Sequence, residues 1–377
     1  MSKPRSIFEE VTDRPAEPAP RSPAPARPDS RRAIALWLGL LFARVVAMIV
    51  VGGLTRLTGS GLSITEWRPV TGALPPMDAA GWAAEFEKYR ATPQYEIANA
   101  GMSLAEFKFI YWWEWGHRQL GRVIGLVWAA GFLWFWLRGR LAPGWAPRLV
   151  ALGALGGLQG AIGWWMVASG LTGEMTRVAS YRLAAHLGLA FAILGLIAWY
   201  VLRLRRPEAE LLQARRQRNE PLMRWGTALV AVAFAQIVLG ALVAGIDAGR
   251  SYTDWPLMGG EVFPSAAFQY APAWTNFLEH PALVQFNHRL LGYVLVALGL
   301  VAWLRARASA LADIRRAFMG VAHVLLVQLA LGVATVMAGV PWQLAILHQL
   351  MAIAVFVLVI RARFAAQYPR AQRIARG

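Results

Sequence analysis

Eight long apolar segments constrain what this chain can fold into more than any other feature of its sequence. An α-helix needs about 20 mostly apolar residues to cross the hydrocarbon core of a bilayer. A spanning segment must also satisfy its backbone hydrogen bonds internally, so these runs predict helices. The predicted spans are residues 33–53, 111–137, 148–168, 181–202, 223–246, 284–304, 316–338 and 342–361. With 57% hydrophobic residues, the chain is predicted to be an all-α membrane protein with eight transmembrane helices.

Basic residues predict how the eight spans are oriented. Arginines precede the first span, follow the eighth, and occupy every second connection between spans. All these positions fall on one side of the membrane, which the positive-inside rule assigns to the cytoplasm. Both termini are therefore predicted to be cytoplasmic, and residues 54–110 and 248–283 to form long extracytoplasmic segments. The net charge of +17 fits basic loops on an anionic leaflet, and no soluble basic domain is predicted that would bind nucleic acid.

The sequence also predicts two tandem four-helix bundles related by an internal parallel repeat. Each unit begins and ends on the cytoplasmic side, which makes the repeat parallel rather than inverted. The matching residues are Glu66-Trp67 with Asp254-Trp255, and Gln159 and Gly163 with Gln328 and Gly332. The predicted divisions are a Pro-rich disordered cytoplasmic tail at 1–30, an N-terminal unit at 31–205, a cytoplasmic linker at 206–222, a C-terminal unit at 223–365 and a cytoplasmic tail at 366–377.

Four of the six histidines occur at equivalent places in this repeat, each near the start of an even-numbered span. They are His117, His186, His288 and His348. Because even-numbered spans run inward, all four are predicted to lie near the extracytoplasmic surface. A neutral imidazole is an axial ligand of haem iron, and two facing helices can hold a flat macrocycle between them. One pair in each unit predicts two haems, and the absence of cysteine excludes thiolate ligation and iron–sulfur clusters.

The other two histidines do not follow the repeat. His323 has no counterpart in the third span and is predicted to make a hydrogen bond between helices. His280 precedes Pro281 in the second long loop and is predicted to lie at the surface, with a position near a haem edge as the alternative.

One position distinguishes the two units chemically. Three residues before the first histidine, the N-terminal unit has Glu114 and the C-terminal unit has Gln285. A carboxylate beside a haem edge can stabilise a developing cation or move protons, so Glu114 is the candidate catalytic residue. The alternative is a structural carboxylate held by Trp or Arg partners. Arg118 and Arg289 directly follow the first histidines and are candidates for contacts with haem propionates or with lipid headgroups.

Several motifs, in order along residues 31–365, resemble the haem A synthase family, most closely its proteobacterial and mitochondrial branch. The segments are Gly52-Gly53-Leu-Thr-Arg-Leu-Thr-x-Ser-Gly-Leu-Ser, Glu-x-x-His-Arg at 114–118, Tyr-Arg-Leu-Ala-x-His at 181–186, Ala244-Gly-x-Asp-Ala-Gly-Arg, Phe-Asn-His-Arg at 286–289 and Leu-His-Gln at 347–349. Some Gram-positive members carry a cysteine pair in the first extracytoplasmic loop. This chain has no cysteine, so no role of that pair carries over.

The resemblance implies an enzyme that oxidises the C8 methyl group of haem O to a formyl group, which gives haem A for cytochrome c oxidase. It implies that His288 and His348 hold a permanent haem b. His117 and His186 would then bracket the substrate haem, with Glu114 as the catalytic glutamate. The implied partners are a haem O synthase, an unidentified electron donor and membrane lipid. The implied location is the bacterial inner membrane, with the haem sites near the periplasmic side. Whether the protein forms a homo-oligomer is left open by the sequence.

Two other functions also stay open from the sequence. One is a di-haem b-type cytochrome that only transfers electrons, and the other is a haem carrier or chaperone for oxidase assembly. Glu114 favours the enzyme, because an electron-transfer protein has little need of a carboxylate beside only one of its haems.

Overall fold

The computed structural model describes residues 30–370, and eight helices in this range are long and apolar enough to span a membrane. They are α1 (Arg31–Leu57), α2 (Leu104–Leu137), α3 (Ala146–Gly170), α4 (Ser180–Leu204), α5 (Glu220–Gly245), α6 (Pro281–Arg307), α7 (Ala312–Met337) and α8 (Trp342–Gln367). The eight predicted spans are therefore confirmed. Nearly all of the predicted N-terminal tail (1–29) and the end of the C-terminal tail (371–377) lie outside the described residues.

Helix α2 begins well before the predicted residue 111, because polar residues cap it outside its apolar run. The Ser103 hydroxyl accepts a hydrogen bond from the Glu106 N–H, and the Glu106 carboxylate accepts one from the Ser103 N–H at 2.8 Å. This reciprocal capping box satisfies two of the backbone donors that a helix start leaves unpaired. The preceding loop contains a further helix, Ala79–Arg90, whose Tyr89 stacks on Phe107 of α2 with ring centroids 5.3 Å apart. The long first loop therefore packs on the outer end of α2.

Helices α1, α4, α5 and α8 form the centre of the molecule and join the two predicted units. Phe356 of α8 lies among aromatic rings, with centroids 5.8 Å from Phe191 of α4 and 6.2 Å from Phe234 of α5. Gly195 of α4 permits this close approach, since a Cβ there would lie 2.8 Å from the Phe356 ring. The two units therefore share one packed core.

The outer helices pack differently in the two units. In the C-terminal unit, the Leu325 side chain of α7 packs against Gly299 of α6, and the two helices lie close together. In the N-terminal unit, α3 carries Gly156 and Gly160 where α7 has Leu325 and Leu329. A Cβ added at either glycine would meet no atom within 4 Å. Without these leucine side chains, α2 and α3 contact each other much less than α6 and α7 do.

The predicted linker at 206–222 contains a short helix, Glu208–Arg216, that docks on the end of α8. Leu211 packs in a cluster with Phe364 and Tyr368, and the buried Arg206 donates to the Tyr368 carbonyl at 2.5 Å. The linker therefore packs on the C-terminal unit, while its Glu208 pairs with Arg31 and Arg203 of the N-terminal unit.

Candidate functional site

Each of the four repeated histidines lies against a glycine of the preceding spanning helix. A Cβ added at any of these glycines would approach the Cε1 atom of the ring to between 2.9 and 3.0 Å. The pairs are Gly52 with His117, Gly163 with His186, Gly240 with His288, and Gly332 with His348. Each ring therefore occupies space that a larger residue would fill, and the same contact at four places supports the predicted repeat.

Three of these histidines are also held by a glutamine, one helical turn before the glycine. The amide nitrogen of each glutamine donates to the backbone carbonyl of its histidine, at 2.9 to 3.2 Å, and lies beside a ring nitrogen. The pairs are Gln159 with His186, Gln236 with His288, and Gln328 with His348. The match between Gln159 and Gln328 was visible in the sequence, whereas Gln236 was not identified there. The signal was present, since the same Gln-x-x-x-Gly spacing occurs in the fifth span.

The rings of the second histidine pair are separated by about the distance that two imidazoles bound to one metal ion would have. The ring centroids of His288 and His348 lie 6.5 Å apart, with 77° between the ring planes. Two imidazole nitrogens that each lie about 2 Å from one metal ion leave their ring centroids roughly 6 Å apart. A cavity of about 270 Å³ adjoins both rings, with Phe191, Leu295 and Leu329 on its walls. The residues present therefore fit a haem iron bound from both faces.

Beside the first pair, Glu114 is buried and holds four hydrogen bonds. Its Oε2 atom accepts from the Ser63 hydroxyl at 2.9 Å and from the Ile64 N–H at 2.8 Å. Its Oε1 atom accepts twice from the Arg118 guanidinium, at 2.6 and 3.1 Å. These bonds fix the carboxylate one turn from His117. Gln285, its counterpart, donates to the Tyr252 carbonyl at 2.9 Å, and its own oxygen has no partner among the described residues.

Arg118 and Arg289 anchor the long loops in the same way. Arg118 donates to the carbonyls of Ile64 at 2.7 Å and Glu66 at 2.9 Å. Arg289 donates to the equivalent carbonyls of Tyr252 at 2.9 Å and Asp254 at 3.0 Å. The side-chain–backbone contacts again match between the units. The predicted contacts of the two arginines with haem propionates stay predictions.

The loop that Arg289 anchors is stabilised from within by Asp254. Its carboxylate accepts from the backbone N–H groups of Gly259 at 3.0 Å and Gly260 at 3.1 Å. These two hydrogen bonds, first that from Gly259, hold the pKa of Asp254 below its ordinary value. The loop shape that places Tyr252 and its carbonyl therefore depends on an ionised aspartate.

An ion-pair group that sequence analysis did not single out lies where the two units meet. Asp247, at the end of α5, pairs with Arg56 of α1 and with Arg177 of the loop between α3 and α4. Arg56 and Arg250 also line the cavity beside His288. Both arginines belong to the quoted motifs, but their proximity depends on the packing of α1 against the C-terminal unit.

Helix α1 contacts a histidine of the first pair and the sequence neighbour of a histidine of the second pair. Gly52 contacts His117, while the next residue, Gly53, faces Gln349, the neighbour of His348. The Gln349 amide donates to the Ile49 carbonyl of α1 at 2.7 Å. One helix of the N-terminal unit therefore forms a wall of both sites.

The two remaining histidines differ from their predictions. His280 is buried, not at the surface, because its ring packs on Tyr270 with centroids 4.6 Å apart. His323 contacts the Met319 carbonyl of its own helix at 2.8 Å rather than a neighbouring helix. In the part of the chain that the structure describes, neither lies with the paired histidines.

Fold and histidine geometry together define a multi-pass membrane protein with paired imidazoles held between its helices. Comparison with known proteins identifies the family within this class. The chain belongs to the COX15-CtaA family of cytochrome oxidase assembly proteins, whose family model matches residues 35–360.

Individual relatives agree over the whole chain. A protein of Dinoroseobacter shibae named haem A synthase is 59% identical over 373 residues, which cover 98% of this chain and 97% of that protein. Proteins of the same name from Ruegeria pomeroyi and Paracoccus denitrificans are each 58% identical. The Ruegeria match covers 99% of this chain and 100% of that protein, and the Paracoccus match covers 97% of both. These matches confirm the resemblance that the motifs indicated.

Proposed function

We propose that this chain is a haem A synthase, an oxidoreductase that acts on a CH group and converts haem O to haem A. The oxidised group is the C8 methyl of the porphyrin ring, which becomes a formyl group. The observation that carries this proposal is the buried Glu114, which stands beside one histidine pair and is replaced by Gln285 beside the other. Relatives that carry this name share 58–59% of their residues with the chain.

The two sites then have different tasks. We assign a resident haem b to His288 and His348, whose ring spacing supports axial ligation from both faces. When bound, this haem supplies reversible one-electron chemistry. We assign the substrate haem to His117 and His186 at the matched position of the N-terminal unit. In both sites the glycine contacts orient the rings.

Glu114 acts on the substrate through its fixed negative charge. The four donors around the carboxylate hold it in one position before the substrate binds. A preorganised charge stabilises opposite charge that develops in a transition state, at little reorganisation cost. We assign to Glu114 the stabilisation of positive charge that develops at the methyl carbon during its oxidation. Arg118 and Ser63 position the carboxylate.

The same proposal places the enzyme in the bacterial inner membrane with both termini in the cytoplasm and both sites near the periplasmic face. The distribution of arginines along the chain supports this orientation. All four histidines also lie in the halves of their helices that follow the extracytoplasmic connections. A haem O synthase supplies the substrate, and an electron carrier completes the redox cycle.

The decisive test is pigment analysis. Cells that make haem O are transformed with this chain, and their haems are extracted and separated by chromatography. We expect haem A in the extract and none in cells with an empty vector. An extract with only haem B and haem O would overturn the proposal and favour a carrier or an electron-transfer cytochrome.

A further inference from the structure

The cavity beside the second histidine pair has an apolar floor that the first unit lacks. Three side chains line the cavity there, Val296 of α6 and Leu325 and Leu329 of α7. They lie one to two helical turns deeper in the spanning helices than the histidine contacts. Leu325 is buried against Gly299 and closes the space between the two helices.

The first unit has glycine at all three matching positions. They are Gly125 of α2 and Gly156 and Gly160 of α3, counted from the histidines and glutamines that match between the units. All three are exposed, and a Cβ added at any of them would meet no atom of the described range 30–370 within 4 Å. The missing side chains leave a slot between α2 and α3, about 10 Å long from Gly156 to the contact of Gly163 with His186.

Trp128 of α2 closes the far end of this slot. It stands where α6 has Gly299, and its ring covers Gly153 of α3 so closely that a Cβ there would overlap it. The indole N–H donates to the Leu149 carbonyl at 3.1 Å, which fixes the ring. The slot therefore runs from the first histidine pair to a tryptophan, with glycines along its walls.

The two haems of the proposed function differ by one apolar group. Haem O carries a hydroxyethylfarnesyl chain where haem b has a vinyl group. In a bilayer, this chain gains little by leaving lipid for an apolar groove, since lipid tails are as apolar as leucine. Discrimination between the two haems therefore depends on space, because a filled floor rejects the chain by overlap and an unfilled one admits it.

We propose that the slot between α2 and α3 receives the farnesyl chain of haem O, and that Val296, Leu325 and Leu329 exclude this chain from the haem b site. The glycines of the slot are then specificity-determining residues, which decide the kind of haem that each histidine pair takes. The inference rests on the proposed function, because it takes His117 and His186 as the ligands of the substrate haem.

Restoring the missing side chains tests this directly. In the double variant Gly156→Leu/Gly160→Leu, α3 takes the residues of α7. The full-length protein is purified from cells that make haem O, and its bound haems are separated by chromatography. We expect the ratio of haem O plus haem A to haem b to fall about 10-fold or more, because leucine overpacks the space of the chain. This ratio within one preparation does not depend on how many chains fold.

Gly157→Leu is the matched control on the same helix. Its counterpart in α7, Leu326, is exposed and is not among the described residues that line the second cavity. This variant should keep the wild-type haem ratio. Added haemin, which has no farnesyl chain, should bind the first site of the double variant as tightly as that of the wild type, since both histidines are unchanged.

An unchanged haem ratio in the double variant overturns the inference. A double variant whose first site takes neither haem O nor haemin also overturns it, because the leucines would then close the histidine site itself. Failure of the proposed function gives a different result: cells with the wild-type chain then contain no haem A, and the substrate haem and this inference fall together.

Discussion

Replacing Glu114 by glutamine removes a charge while it keeps the size of the side chain. The amide can still contact Arg118 and Ser63 in part, so both haem sites should stay filled. Loss of a preorganised group of this kind typically costs about 100–1,000-fold in rate, and we expect haem A formation to fall by that amount. Haem A in extracts and total haem in purified protein are the two measurements.

Glu66→Gln is the matched control for that experiment, because Glu66 lies in the first loop, where its carboxylate pairs with Arg68 and Lys88 and with no other residue of the described range 30–370. This variant should make haem A at the wild-type level. Undiminished haem A formation by Glu114→Gln would contradict the catalytic assignment.

A single added methyl group tests the glycine contacts. In Gly332→Ala, the new Cβ would lie 2.9 Å from Cε1 of His348, so the ring must move. We expect a clearly lower haem b content, visible as a weaker reduced-minus-oxidised absorbance difference in purified protein. Gly320→Ala on the same helix meets no atom within 4 Å and should keep full occupancy. Equal occupancy in the two variants would show that the ring does not depend on this contact.

At the scale of elements, the capping box of α2 can be tested by a single substitution. Ser103→Ala removes a hydroxyl that accepts from the Glu106 N–H, and loss of such a cap costs about 1 kcal/mol. Because α2 carries Glu114 and His117, we expect faster amide hydrogen exchange in its first turn and a slightly lower Tm in detergent. Ser103→Thr keeps the hydroxyl and should keep protection. Unchanged exchange in Ser103→Ala would contradict the role of the cap.

The elements also show what the sequence can and cannot predict. Apolar runs located all eight spans, because burial in lipid leaves a long and continuous signal. The start of α2 was missed, since the turns outside the membrane are stabilised by Ser103 and Glu106 rather than by hydrophobicity. The histidines were found through the repeat. Their glycine contacts were not, because a contact between two helices has no signature in either helix alone.

At the scale of the whole molecule, the two repeated units are clear in the sequence but are not separate bodies in the structure. Helix α1 belongs to the N-terminal unit, yet Gln349 of α8 donates to its Ile49 carbonyl. Arg56 of α1 pairs with Asp247 at the end of α5 and lines the cavity of the second site. These contacts depend on how the units pack, so the sequence alone did not reveal them. The two sites share a wall and are expected to be close enough for electrons to pass between them.

Despite this shared wall, the two sites should lose their haems independently. His348→Ala removes a ligand of the second pair and should deplete haem b, whereas His186→Ala removes the equivalent ligand of the first pair and should spare it. Both variants leave a small side chain at the same place in the repeat, so general damage to folding should affect them alike. Haem content by pyridine haemochrome spectra and subunit content by amino-acid analysis give the occupancy of each. Equal loss of haem b from both variants would contradict the division of labour, because the two pairs would then hold one cooperative haem array rather than a resident cofactor and a substrate.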